Sequence, residues 1–402
     1  MFEEDNRVYS PLPRGIYGKG HRIFPHRPSK NSTPYDKEKF LESIDPLESY
    51  QHIIVLYSGG KDSIAATLYL RELGVPNEKI LLMHHDIDGG NQELEMDWSV
   101  TKSYCIESAK ALGIPIRFSW RQGGFLQEML RNGASFPISF EDYNDSGKLI
   151  TVSAAAWEAS EKLRKRIEEC IQADNEEEAE RLMIQLRQYG YRMKFPAKSA
   201  SLQTRWCSSS LKIEVFDKVL RYCDTFMAGK KILVIDGIRR EESPNRSRYN
   251  ECELHTTNAP RKQRVVHKWS PVIEWTEEMV WEIIERHRLR AHPCYYLGFS
   301  RCSCSCCIFG LPKHWAAIKF LHPEKFSKLV ELERRLNFTI DSKFSLEGIV
   351  SNTASCLPQY PDADMIKALT SRWLPKDYIR LQDHDIWTSP YGAYGGAEGG
   401  PC

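Results

Sequence analysis

The 402-residue sequence predicts an α/β fold, a doubly wound parallel sheet with an inserted αα-hairpin and a helical, cysteine-rich C-terminal part. Three observations carry this. Ile53-Ile54-Val55-Leu56 is an unbroken apolar run that leads into the turn Tyr57-Ser58-Gly59-Gly60-Lys61-Asp62-Ser63 and then a helical pattern. Two further apolar runs alternate with helical periodicity up to Trp120, the rhythm of parallel βαβαβ units. From Ala154 to Tyr189 the period stays near 3.6 through two successive segments, so helices there stand outside the alternation.

Taken in order, residues 1–50 are rich in Pro, Gly and basic side chains and are expected to form an N-terminal arm. Ile53–Leu56 shows no polar alternation, as expected of a strand buried on both faces. Ser63 to Leu73 reads as the next helix, with Ile64, Leu68, Leu70 and Leu73 apolar and Gly74 as its stop. A second strand spans Lys79–Met83 and runs into His84-His85-Asp86-Ile87-Asp88-Gly89. A helix over Asp97–Leu112 and a third strand over Pro115–Trp120 follow. In the hairpin, expected at about 150–192, Ala159, Leu163, Ile167, Cys170 and Ile171 share one face. Ala179, Leu182, Met183 and Leu186 share the other helix's face, and Asp174-Asn175 breaks the two apart. Lys231–Asp236 reads as a further strand, so the sheet domain is expected to cover 51–290. The remainder, 291–402, holds a cysteine segment and helices carrying Trp315, Ile318, Leu321, Phe326, Leu329, Leu332 and Leu336. It closes with a Gly-rich end, Ser389–Cys402, expected to be a flexible tail.

Composition bounds the function classes. With 41% hydrophobic and 27% charged residues the chain is that of a globular protein, and no apolar run nears the roughly 20 residues of a membrane span. The start, MFEEDNRVYS, lacks the apolar core of a signal peptide, so a cytoplasmic location with no membrane partner is expected. A net charge of +1 requires any nucleic-acid partner to meet a local basic patch. Twelve cysteines in such a chain point to metal or redox chemistry rather than disulfides.

The chemistry is expected at strand ends, where parallel sheets bind ligands. Two glycines let the Ser58–Ser63 turn bring backbone N–H groups to an anion at a helix N-terminus, and Lys61 adds charge. Ser58 and Ser63 offer hydroxyls; Asp62 orients the loop or holds Mg²⁺. The Walker A spacing is absent, so this is a different phosphate cradle. His85, Asp86 and Asp88, after the second strand, form the wall beside it; a zinc site among them lacks a second ligand cluster at zinc-like spacing. Gly237-Ile238-Arg239-Arg240-Glu241-Glu242-Ser243, with Arg246 and Arg248, offers guanidinium forks to a leaving pyrophosphate. Five cysteines lie between Cys294 and Cys307, and Cys304-x-x-Cys307 is the tightest metal-type pair.

These blocks carry a resemblance. The loop resembles the SGGxDS signature of the PP-loop ATP pyrophosphatase superfamily. Arg205-Trp206-Cys207-Ser208 through Leu211-Lys212-Ile213, and Gly237-Ile238-Arg239 through Ser243 and Arg246, are similar to segments of the phosphoadenosine phosphosulfate reductase family within it. So are Pro271-Val272 through Trp275-Thr276 and Gly298-Phe299-Ser300-Arg301 through Cys304 and Cys307. The resemblance implies a PP-loop fold, ATP with Mg²⁺, and Tyr57, Ser58, Gly59, Gly60, Lys61, Asp62, Ser63, His85, Asp86, Asp88, Gly237 and Arg239 as nucleotide-binding residues. Lys61, Asp62 and Arg239 would be the catalytic ones. It further implies a [4Fe–4S] cluster on Cys207, Cys304 and Cys307, with Cys294 as the best fourth ligand and Cys302 or Cys306 as rivals; zinc is the second choice of metal.

Family members divide in their reactions. A sulfonucleotide reductase uses an E-C-G-x-[HL] motif as its thiol nucleophile, which the sequence lacks, although the terminal Cys402 could take that part. With the intact SGGKDS loop, the chain is most similar to the ATP pyrophosphatase component of DNA phosphorothioation systems. That resemblance implies ATP cleavage to AMP and pyrophosphate, adenylylation of an acceptor for sulfur insertion, DNA as that acceptor, and a sulfur-donor protein such as a cysteine desulfurase. A reductase of PAPS or APS, a tRNA-thiolating enzyme and a non-enzymatic cluster-holding protein are the competing expectations.

Overall fold

The computed structural model describes residues 45–394 apart from 228 and 383, so most of the N-terminal arm and Cys402 lie outside the described residues. Its strands are β1 (His52–Leu56), β2 (Ile80–His85), β3 (Ile116–Arg121), β4 (Ile138–Glu141), β5 (Leu149–Val152), β6 (Lys230–Ile235), β7 (Cys252–Leu254) and β8 (Arg264–Trp269). They form one sheet in the order β5-β4-β3-β2-β1-β6-β8-β7. The five central strands, β3 to β8 through β1, are parallel, while β4, β5 and β7 add antiparallel edges. The α/β fold of PP-loop type expected from the sequence is the one observed.

The centre of the sheet is buried on both faces, which explains its unbroken apolar runs. Ile53, Val55, Leu82 and Leu233 point to one face, against Ile64 and Leu68 of α1 (Lys61–Glu72), Ala109 of α2 (Thr101–Leu112) and residues of a later helix, Glu277–Arg286. Ile54, Leu81, Met83 and Val234 point to the other, against Val215, Phe216, Val219 and Leu220. Burying each such side chain is worth about 1.5–3 kcal/mol.

After the short α3 (Gly124–Met129), the hairpin consists of α4 (Trp157–Gln172) and α5 (Glu176–Arg187). Asn175 caps α5 by accepting from the N–H of Glu178 at 3.2 Å. Residues 149–152, placed by the sequence at the hairpin's start, instead form edge strand β5 against β4. Ile167, Leu182 and Leu186 make the hairpin's own core, but Ile171 is 60% exposed rather than on that face. Arg164 ties the hairpin to the sheet domain, donating to the carbonyls of Asn132 and Ala134.

Helices α6 (Glu214–Tyr222) and α7 (Glu277–Arg286) follow, then α8 (Pro293–Tyr296), α9 (Pro312–Leu321), α10 (Pro323–Leu336), α11 (Leu346–Val350) and α12 (Ala363–Thr370). No helix among the described residues is long and apolar enough to cross a membrane. Every cysteine among them is a free thiol. At both described ends the chain is pinned. Tyr50 is buried with its hydroxyl 2.7 Å from His267 Nδ1, and Gly392, expected in a flexible tail, donates its N–H to Tyr295 O at 2.7 Å.

Glu72 clamps α1 to α7. It accepts from Arg286 Nε and Nη2 at 2.9 and 3.0 Å and lies 3.0 Å from His287 Nε2. Burial alone would raise its carboxyl, but His287 and Arg286 outweigh burial and bring it down to about 2 from 4.5. A carboxylate lowered on folding stabilises above its unfolded value, and that stability is lost as pH falls through the folded one. Glu72→Gln should therefore cost about 1–2 kcal/mol at neutral pH, allowing for the half-exposed arginine, with the difference shrinking as pH falls below 4.5 towards 2. Urea midpoints of both proteins at neutral pH and near pH 3 check this; a pH-independent difference would refute it.

Candidate functional site

The end of β1 turns through Ser58-Gly59-Gly60 into α1, for which Gly60 is the N-cap. Gly59 has φ +77°, and a Cβ there would lie 3.0 Å from Cys105 Sγ and 3.2 Å from the Tyr104 ring, so only glycine fits. Local bonds hold the turn: Ser63 Oγ donates to Gly60 O at 2.9 Å, and Gly60 N–H donates to Ser58 Oγ at 3.3 Å. The first-turn N–H groups of α1 have no intrahelical acceptors, which makes this end favourable to anions. Tyr57, Ser58, Gly60, Lys61, Asp62, Ser63, Gly237 and Arg239 all line one cleft of ≈ 930 Å³.

Lys61 is 4% exposed, and its ammonium donates to Ser300 O at 3.1 Å, 3.5 Å from Glu277 and 3.7 Å from Asp62. Arg239, 3% exposed, donates through Nε to Asp62 Oδ1 at 2.6 Å and through Nη1 to Glu241 at 2.5 Å and Trp275 O at 3.3 Å. Arg246 pairs with Glu242. Burial would raise the Asp62 carboxyl, but Lys61 and then Arg239 overcome it and hold it below the usual carboxylate range. Asp62 thus anchors Arg239 beside Lys61, with both of its oxygens near cations. Asp62 Oδ1 is taken by Arg239, whereas Oδ2 lies 3.7 Å from the Lys61 ammonium. Arg248 is exposed and does not line the cleft.

Gly237 serves the site by close approach. A Cβ on it would lie 2.6 Å from the carbonyl carbon and oxygen of Asp62 and 2.9 Å from Ser63 N, so the end of β6 presses on the first turn of α1. Because those atoms are backbone, Gly237→Ala should cost about 1–3 kcal/mol. The guanidinium denaturation midpoint measures this, and an unchanged midpoint would contradict the contact.

The wall after β2 divides. Met83, His84, His85 and Ile87 line the cleft, whereas Gly59, Asp86 and Asp88 do not. His84 Nδ1 is 2.9 Å from Tyr57 O, and His85 Nδ1 is 2.7 Å from Ser119 Oγ; burial pushes His85 down to about 3, so it is neutral at physiological pH. Asp86 Oδ1 accepts the N–H groups of Asp88 and Gly89, building the turn. Asp88 accepts from Met96 and Asp97 N–H, and burial with the Asp97 charge lifts its carboxyl to about 8. Asp86 and Asp88 are therefore turn-building residues rather than direct lining of the cleft.

The cysteines also divide. Cys207, Cys304 and Cys307 line the same cleft as the glycine loop. Burial, and then Cys307, lift the Cys207 thiol to about 11, and burial pushes Cys304 well above the ordinary thiol value. Lys212, on the π-helical turn Ser209–Ile213 that precedes α6, lines the cleft too; Cys304, with Asp97, Cys207 and Cys307, raises its ammonium. Thiols of this kind suit an iron–sulfur cluster or zinc. Cys294 does not join them. It is fully buried beside His292 and Cys302, whose ligand atoms and its own all lie within 4.8 Å of one another. Cys302 and Cys306 also line the cleft, Cys306 being buried with Ser305.

Tyr295 is a site residue that sequence reading missed. Its phenol oxygen accepts the N–H of Lys61 at 3.0 Å and of Cys302 at 3.1 Å, joining the loop to the cysteine segment. Its partner Lys61 lies 234 positions away, and no local signal marks that pairing.

The sheet and the loop at its parallel strand ends define an α/β protein of the PP-loop type. More particularly, residues 158–309 match the phosphoadenosine phosphosulfate reductase domain family. That span holds the Trp206-Cys207, Gly237–Arg246, Trp269–Thr276 and cysteine blocks, and it leaves Ser58–Ser63 outside. The chain is 28% identical over 293 residues to an uncharacterized 37.8 kDa protein of Escherichia phage 186, covering 70% of this chain and 74% of the phage protein. It is 28% identical over 140 residues to an uncharacterized protein of Methanocaldococcus jannaschii, 34% of this chain and 31% of that one. An adenosine 5'-phosphosulfate reductase of Anoxybacillus flavithermus is 35% identical over 81 residues, 20% of this chain and 32% of the reductase. The last two similarities span about a third of those relatives' length.

Proposed function

We propose that the chain binds ATP with Mg²⁺ in this cleft and cleaves it between the α- and β-phosphates, transferring AMP to an acceptor that then receives sulfur. The observation that carries the reading is the joint lining of one cleft by the glycine loop, Lys61, Arg239 and the thiols of Cys207, Cys304 and Cys307. Phosphates would lie at the N-terminus of α1, with Lys61 and Arg239 offsetting charge on the departing pyrophosphate. Both cations are already paired with Asp62, Glu277 and Glu241, so a bare polyanion would compete with carboxylates. A Mg²⁺-neutralised triphosphate, whose metal keeps phosphate and water ligands, meets less of that competition.

Cys207, Cys304 and Cys307 would hold the cluster, which supplies electron or sulfur chemistry when bound. A single zinc ion with bonds of about 2.3 Å needs its sulfurs within about 4 Å of each other. Among the described residues the only ligand trio gathered within 4.8 Å is His292, Cys294 and Cys302, so the looser cleft set suits a multinuclear cluster better. The favoured acceptor is the DNA backbone, with a cysteine desulfurase as sulfur donor, as the resemblance implies.

The test is pyrophosphate release from ATP by anaerobically purified protein with DNA, tRNA or no acceptor. DNA-stimulated release supports the reading in full, and tRNA stimulation would move the acceptor to a base. The 35% identity to an adenosine 5'-phosphosulfate reductase favours one other reading, reduction of a sulfonucleotide. Thiol-dependent consumption of APS or PAPS without pyrophosphate release from ATP would establish that reading instead.

A further inference from the structure

We propose that His292, Cys294 and Cys302 form a zinc site distinct from the set Cys207, Cys304 and Cys307, at the edge of the cleft that Cys302 also lines. One ligand atom from each lies within 4.8 Å of the other two. His292 and Cys294 are fully buried, and Cys302 is half-buried. Bonds of about 2.0–2.3 Å to one ion need ligand atoms slightly closer than that limit, within reach of small side-chain adjustments. Two thiolates and an imidazole are a donor set that zinc takes readily.

The surroundings resemble the support a metal ligand needs. His292 caps α8, and its Nδ1 accepts the N–H of Cys294 at 3.3 Å. Its Nε2 lies 3.4 Å from Thr101 Oγ1, and the edge of the Tyr104 ring packs 5.1 Å from the imidazole. On binding an ion, Nδ1 would exchange the Cys294 N–H for the metal, while Nε2–H donates to Thr101 Oγ1 and fixes the ring.

The position gives the ion a task. The Cys302 carbonyl would lie 3.4 Å from a Cβ on Gly60, and Cys302 N–H shares the Tyr295 hydroxyl with Lys61 N–H. An ion joining α8 to Cys302 would brace the loop segment that abuts the first turn of α1. This holds whatever reaction the cleft performs, because it concerns only metal binding and rigidity.

The probes are Zn²⁺ and Co²⁺, and the protein is the full chain in which Cys207, Cys304, Cys306 and Cys307 are replaced by serine, so that Cys302 is the one thiol left in the cleft lining. We expect this variant to retain one zinc per chain by elemental analysis after gel filtration, and Co²⁺ loading to give a sulfur-to-cobalt charge-transfer band. Adding Cys302→Ser should abolish both, with far-UV circular dichroism unchanged. If the cleft-thiol variant does not fold, Cys302→Ala in the natural sequence should lower bound zinc by one per chain. Absence of zinc in all Cys302-containing proteins overturns the proposal, as does full retention after Cys302 is replaced. So does a Cys294–Cys302 disulfide found by thiol alkylation and mass spectrometry in anaerobically purified protein.

Discussion

Arg239→Ala is expected to destabilise the protein by about 3–5 kcal/mol, because it leaves Asp62 as a carboxylate stripped of its closest cation. The pair is nearly dry on the arginine side, where the side chain is 4% exposed, and its Nε–Oδ1 distance is 2.6 Å. Removing one member of such a pair costs more than removing both, since the survivor keeps its desolvation penalty. The double change Arg239→Met with Asp62→Asn should therefore recover a substantial part of the loss. Denaturant midpoints of the single and double variants form the cycle. A double variant no more stable than Arg239→Ala would show that Arg239 contributes through Trp275 O and Glu241 instead.

Lys61→Ala should lower pyrophosphate release by about 10²–10³-fold, the usual cost of removing one preorganised charge that faces developing negative charge. Little stability should be lost with it. The ammonium is shared loosely among Ser300 O, Glu277 and Asp62 at 3.1–3.7 Å, and Asp62 keeps Arg239. Its backbone N–H to Tyr295 is untouched by the substitution. Steady-state release from ATP, alongside a thermal midpoint, separates the two effects. A loss under tenfold would remove Lys61 from the charge-stabilising role and with it the phosphate-cradle reading of the loop.

Both effects depend on contacts that join residues far apart in sequence, and this separates what was legible from what was not. Ile53–Leu56, the glycine turn and the helix after it could be read because burial on two faces, φ > 0 and helical periodicity are local properties. The hairpin was legible for the same reason: Asp174-Asn175 interrupts two amphipathic stretches, and Asn175 does cap α5. The antiparallel strands β4, β5 and β7 were not, since they are three or four residues long and exist through pairing with neighbouring strands. Leu149, 57% exposed at the sheet edge, carries no alternation that could mark it.

The sequence by itself determined the parallel α/β sheet, the position of the glycine loop at a strand end, and the concentration of thiols between Cys294 and Cys307. Tertiary structure alone decided how those groups are shared out. It set Asp62 against Arg239, 177 positions away. It gave Cys207, Cys302, Cys304, Cys306 and Cys307 to the lining of the cleft, left Cys294 behind it, and brought Cys294 close to His292 and Cys302. Spacing along the chain limits which thiols can meet, but five cysteines in one irregular segment satisfy that limit in many ways. Only the packing of α8 beneath the loop, with the Tyr295 hydroxyl between Lys61 and Cys302, selects among them.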